Sequence, residues 1–204
     1  MHSALKLCHA VYWLALVIWV GALVSGGVAA AGVFSTLPKL GILIPKYQPA
    51  LGNDTAEHGR LAGGMVMEPV FTAMDWVQVA AVVFVMVALA LQFTVFKMRI
   101  TSPGHLIRAI CIGSAALVMI VQMTTIAPRM NRELRGVWNA VEVNDRAAME
   151  SHRAAFESDH HVANSLYTAR LILLLAGVAV SGAVLGTSRT ERSALEMPRL
   201  LRVQ

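Results

Sequence analysis

Charge is what this sequence has least of. Acidic and basic residues together make up 14% of the 204 residues, where a soluble domain carries about 25%. The shortage is local. Four long stretches are nearly free of charge, and the charges crowd between them. A soluble chain would scatter them over its surface, so the pattern speaks against a soluble globular protein; the length suits one domain. Cysteine is scarce too. Two residues, Cys8 and Cys111, exclude a disulfide framework. Each opens an apolar segment and reads as a small hydrophobe. The net charge of +5 comes without a basic stripe interleaved with aromatics, which excludes nucleic-acid binding.

Catalytic signatures are missing as well. The chain has no His-Glu-x-x-His, no Cys-x-x-Cys and no His-x-x-x-His. No glycine loop precedes a strand–helix unit that could cradle a phosphate. Ser25, Ser114 and Ser181 lie among glycine and alanine in apolar stretches, with no triad spacing around them. A non-enzymatic protein is the expectation.

What is present is four apolar runs. A membrane-spanning helix needs about 20 residues at 1.5 Å each. Residues 10–34, 70–96, 106–126 and 162–185 meet that length. The fold class they predict is all-α: a polytopic membrane protein with four transmembrane helices in an antiparallel bundle. The first run carries Gly21, Ala22, Ser25, Gly26, Ala29 and Ala30, a spacing that lets helix backbones approach closely in lipid. The rival reading of that run is a cleaved signal peptide, with Lys6 as its basic region and Ala29-Ala30-Ala31 as its cleavage site. Trp13 and Trp19 suit a retained helix better.

The connections differ in kind. Residues 35–68 hold Pro38, Pro45, Pro49, Gly52, Gly59, Gly63 and Gly64 and read as a polar loop. Glu68 and Pro69 mark the start of the second span, since proline is tolerated in a first helical turn. Ser102, Pro103 and Gly104 make a tight turn that forces the second and third spans to be neighbours. Pro128 ends the third span. Residues 129–161 are polar, yet Gly136 is their last glycine or proline. They predict an amphipathic helix that runs unbroken into the fourth span, a long helical extension between spans 3 and 4. Glu142 and Arg146 add a favourable four-residue pair. Gly186, Thr187 and Ser188 end the fourth span. The basic tail, residues 189–204, is expected to rest on the membrane surface.

Charge bias then orients the bundle. Lys6, Lys97, Arg99, Arg108, Arg189, Arg192, Arg199 and Arg202 fall on one side, with Glu191 and Glu196 as its acids. Both termini are expected in the cytoplasm, in a cell (inner) membrane. The expected partners are the lipid bilayer and either a second copy of the chain or other membrane subunits.

Some short stretches also carry a family likeness. Residues Ala29-Ala30-Ala31-Gly32-Val33-Phe34-Ser35-Thr36-Leu37-Pro38 resemble a small-residue run followed by Phe-x-x-Leu. Ile126-Ala127-Pro128-Arg129-Met130-Asn131 resembles a proline-marked exit from a third span. Phe156 and His160, followed by Asn164 and Ser165, resemble a Phe-x-x-x-His start to a fourth. Together they resemble the domain of unknown function 4149 family, whose animal members are called transmembrane protein 205-like. The resemblance implies a four-helix membrane bundle without an established activity.

The candidate chemistry centres on charge inside the spans, because Asp or Arg at mid-span costs about 2.5–3.5 kcal/mol. Asp75 lies about 9 Å of helix into the second span and Arg170 about 12 Å into the fourth. Similar depth makes them expected partners, in an intramembrane polar cluster with Gln78, Gln122 and Asn164. That cluster suits a scaffold, an accessory subunit or a protein that handles a small solute, with no cofactor. The alternative is a redox subunit holding haem b or a divalent metal. Glu157 and His161 share a helix face, and with His160 and His58 they form the metal candidate. His9 and His105, at one end of their spans, form the haem candidate.

Overall fold

The structure is a computed structural model. It describes residues 2–98 and 103–200, with side chains for residues 3–98 and 103–184. Arg99, Ser102 and the side chains of the basic tail lie outside the described residues. Among the described residues every regular element is helical. Helix α1 spans His2–Thr36. A connection with two short 3-10 turns and the four-residue helix α2 (Gln48–Leu51) leads to α3 (Thr55–Thr94). Helix α4 covers Pro103–Val121. A π-helical turn, Gln122–Ile126, joins it to α5 (Ala127–Glu142). Helix α6 runs Arg146–Leu200. Four helical stretches are long and apolar enough to cross a membrane: Ser3–Lys39, Thr55–Thr94, Pro103–Glu142 and Arg146–Val184.

Three sequence expectations are corrected here. The second long helix begins at Thr55, well before Glu68-Pro69. Asp54 caps it, its carboxylate accepting from the Ala56 and Glu57 N–H groups at 3.0 and 3.2 Å. A side-chain acceptor at the cap satisfies the otherwise orphaned first N–H groups, so the helix starts there and carries Pro69 inside it. The third does not stop at Pro128. The π turn just before that residue absorbs the missing N–H and the chain stays helical. The extension from 129 to 161 is not continuous either. Asn144 takes a left-handed conformation (φ 60°), which asparagine tolerates best after glycine. Asp145 then caps α6 by accepting from the Ala148 N–H at 3.0 Å. Helices α5 and α6 therefore form a hairpin.

Contacts set the order of the helices. The start of α1 lies against the end of α3, where the Cys8 thiol donates to the Ala88 carbonyl at 3.4 Å. The end of α1 lies against the start of α3: a Cβ added at Gly59 would come 2.5 Å from the Leu37 carbonyl oxygen. Helix α4 packs mainly on α6, and α3 and α4 touch little. We call the two ends the terminus end (His2, Thr94, Pro103) and the hairpin end (the 37–54 connection and the α5–α6 turn).

The main core joins Tyr12, Leu16, Trp19 and Leu23 of α1 to Val85 and Leu89 of α3, Ile112 of α4 and Leu174 of α6. Around it the surface is apolar rather than polar. Leu14, Val17 and Val28, Trp76, Val83 and Phe84, Leu117 and Ile120, and Ile172 all stand exposed. The hairpin end is built differently. A second, smaller core of Ala50, Leu61, Val137, Ala140, Val141 and Met149 is ringed by ion pairs. Glu57 meets Arg153 at 2.6 Å, Glu68 meets Arg135 at 2.9 Å, Asp159 meets Arg129 at 2.8 Å and Glu142 meets Lys46 at 2.7 Å. The hydrogen bond to Glu142 holds the Lys46 ammonium above the ordinary lysine pKa.

Candidate functional site

Polar side chains enter the apolar interior at two heights. Asp75 and Gln92 mark them on α3, about 25 Å apart along the helix.

The layer nearer the hairpin end contains most of the expected cluster. Asp75 is half-buried. Arg170 is 2% exposed and attracts it across the bundle. The pair does not close, however: no Asp75–Arg170 contact within 4.0 Å exists among the described residues. Arg170 instead stacks over the Tyr167 ring at 5.9 Å, and its Nε lacks a partner. Tyr167 is itself placed by α1. Its hydroxyl donates to the Leu23 carbonyl and fills the space a side chain at Gly27 would take. Gln78, three residues from Asp75, is 4% exposed, and its Oε1 also lacks a partner. So does the Oε1 of Gln122. Asn164 does not belong with them. It is exposed on another face of α6, beside His161, Ser165 and Thr168. Six residues at about 100° each set it about 120° around the helix from Arg170.

Asp75 faces an open cavity of about 300 Å³. Thr72 and Trp76 share its wall on α3. Met123, Ala127, Pro128 and Asn131 close the opposite side. The cavity lies between α3 and the junction of the π turn with α5. A proline there also withholds one N–H from the carbonyl a turn earlier, leaving acceptor capacity nearby. The wall therefore combines a carboxylate, an amide and an indole.

In the layer nearer the terminus end the sequence points to His9 and His105, but not to Arg108 and Gln92. Arg108 is 3% exposed and Gln92 is fully buried. The Arg108 Nη2 donates to the Gln92 Oε1 at 2.7 Å. The guanidinium lies over two rings, 5.1 Å from Tyr12 and 5.9 Å from Phe93. Tyr12 in turn shares a 3.1 Å hydrogen bond with Ser181, whose hydroxyl donates to the Gly177 carbonyl at 2.6 Å. Ser181 is thus a network member as well as a small packing residue. His105 meets Phe93 edge-on at 6.4 Å. His9 and His105 lie within electrostatic reach of Arg108 and of each other. The signal available in the sequence was an arginine inside an apolar run, five residues past Pro103, which positive-side bookkeeping treats as a loop charge.

The metal candidates do not assemble. Among the described residues, no group of three His, Cys, Asp or Glu side chains could hold a metal ion. His58 is fully buried, its Nδ1 accepting from the Ile44 N–H at 3.3 Å and its Nε2 3.1 Å from the Gly52 carbonyl. Both nitrogens serve the 37–54 connection. His160 stacks on Phe156 at 5.5 Å, and Glu157 and His161 stay exposed.

Compared with protein-family models, with curated proteins and with solved structures, the chain matches none of them.

Proposed function

We propose that this chain is an antiparallel four-span membrane bundle that handles a small organic cation at the cavity beside Asp75. The observation that carries the reading is that Asp75 faces the cavity instead of closing an ion pair with Arg170. A carboxylate in an apolar zone needs a counter-ion, and Arg170 supplies only part of one from beyond 4 Å. An ammonium group in the cavity would supply the rest. Trp76 on the same wall adds an aromatic surface that attracts quaternary and primary ammonium groups. The apolar outer surface of the helices supports membrane insertion, since exposed Leu, Val, Ile and Phe at this density find their solvent in lipid. The charge bias of the connections supports cytoplasmic termini in an inner membrane, and the likeness to the domain of unknown function 4149 family supports the same four-span plan. Of the roles open to such a protein, solute handling uses the cavity, whereas a scaffold or accessory subunit leaves it unexplained.

The test is thermal unfolding of detergent-purified protein titrated with methylammonium, tetramethylammonium or potassium chloride at constant ionic strength. The reading expects a saturable upward shift with an ammonium salt, absent with potassium and lost in Asp75→Asn. A flat response to all three salts, or an equal shift in Asp75→Asn, would sink it.

A further inference from the structure

The layer around Arg108 has the opposite chemistry, and its orphaned atoms are all able to donate. Arginine carries five N–H donors and no acceptor. Here one of them meets Gln92, the guanidinium lies over two rings, and Nε has no partner. Gln92 cannot turn its amide to relieve this. Its oxygen must face the guanidinium, because the reverse orientation would oppose donor to donor. That leaves the Gln92 Nε2, a fully buried donor, also without a partner. The His105 Nδ1 is a third buried atom in the same condition. Tyr12 and Ser181 spend their hydroxyls on each other and on the Gly177 carbonyl. Cys8 spends its thiol on Ala88. Among the described residues no carboxylate lies within 4.0 Å of Arg108.

A cation at 3% exposure with no anionic partner is costly, and unpaired buried donors beside it add to the cost. Both are relieved by one kind of group: a compact oxyanion with several acceptor atoms. At the terminus end His9 and His105 are half-exposed, and both lie within electrostatic reach of the buried Arg108. Guanidinium and phosphate match in charge and geometry. Basic pockets between helices near a membrane surface suit lipid headgroups for the same reason.

We propose that Arg108, Gln92 and His105, with His9 at the mouth, form a binding site for a phosphate-type oxyanion. The shared chemistry is the phosphate group, carried either by an anionic phospholipid or by a free anion. The site is independent of the Asp75 cavity, on other residues and at the other end.

The experiment has two arms. In the first, detergent-purified protein is unfolded thermally with sodium phosphate against sodium chloride at equal ionic strength. In the second, the protein is reconstituted in vesicles of phosphatidylcholine alone or mixed with phosphatidylglycerol, and unfolded likewise. A saturable shift with inorganic phosphate assigns a free anion. A shift with phosphatidylglycerol and none with phosphate assigns the lipid. Neither shift overturns the proposal. His105→Ala, at a half-exposed position that leaves the core intact, is expected to weaken the effective arm about tenfold, the loss of one charge-assisted hydrogen bond. Arg108→Lys keeps a charge but not the planar fork and is expected to weaken it at least as much. Unchanged affinity in a folded His105→Ala and a folded Arg108→Lys would also overturn the proposal.

Discussion

The two polar layers are built from similar residues to opposite ends. The hairpin-side layer leaves mostly acceptors over: the Asp75 carboxylate and the unpartnered Oε1 atoms of Gln78 and Gln122, beside one donor, the Arg170 Nε. The terminus-side layer is rich in donors: the Arg108 Nε, the Gln92 Nε2 and the His105 Nδ1. Each contains a buried arginine and a buried glutamine. The difference lies in what the arginine finds. Arg170 has an acid within electrostatic reach, so its layer has acceptors to spare. Among the described residues Arg108 has only an amide and two rings. A glutamine follows its neighbour: one pinned by a guanidinium shows its nitrogen, and one without such a neighbour can leave its oxygen free. Burial alone therefore says little about what a polar residue could bind; the sign of its leftover hydrogen-bonding capacity says more.

The contrast can be broken, and the largest effect belongs to the terminus-side layer. Gln92→Leu removes the side chain that hydrogen-bonds Arg108 and is expected to cost about 2–3 kcal/mol, read by reversible unfolding in mixed detergent. The double variant Gln92→Leu with Arg108→Met should lie closer to the parent than the single one, because the stranded charge has gone. A double variant as weak as the sum of its parts would show that the two residues are not coupled. Gly27→Ala acts only on the other layer. Its Cβ would come 2.8 Å from the Tyr167 hydroxyl, displacing the ring beneath Arg170, for about 1–3 kcal/mol. Gly27→Ala should also blunt ammonium binding while leaving phosphate binding intact. Loss of both would mean the layers are not separate sites.

Smaller effects sharpen the picture. Arg153→Ala breaks the pair with Glu57 in the ring at the hairpin end. Both partners are partly exposed, so the expected cost is about 0.5–1 kcal/mol, vanishing in high salt. The Lys46–Glu142 pair should respond to salt in the same sense. A raised lysine pKa means its contribution is complete below the ordinary lysine value and fades only as pH climbs through the raised one, so neutral or mildly acidic buffers leave it intact. Asp75→Asn should change stability least, by about 0.5 kcal/mol or less in either direction, because no partner within 4 Å is lost. A destabilisation matching Gln92→Leu would mean that Asp75 is structural and that the cavity reading is wrong.

The sequence showed the apolar helices because length and charge depletion are read one residue at a time. It also brought Asp75 and Arg170 to one height, since depth along a helix is simple arithmetic. It hid what depends on a neighbour. Gly59 and Gly63 look like loop punctuation, but they let α3 pass close to Leu37 and Pro38 and to Phe34. Pro69 and Pro128 look like boundaries, yet a cap at Asp54 and a π turn carry helices through them. Depth groups Asn164 with Arg170, and angle separates them. Arg108 was counted as a loop charge because its partner, Gln92, sits on a different helix. The Asn144 turn offered neither glycine nor proline, and only the Asp145 cap that follows gives it away.

Pro69 and Pro128 have a mechanical consequence. Glu68, beside one, pairs with Arg135, and Thr72 shares the cavity wall with the other, so both prolines stand at nearly the same level. Each proline withholds a backbone N–H there, whereas α1 passes that level unbroken, with Gly26 beside Phe71. Helix α6 passes it as an uninterrupted rod too. Bending stress applied to the hairpin end would concentrate on the side of this plane that holds the two prolines and the Asp75 cavity, with α1 and α6 as the stiff side.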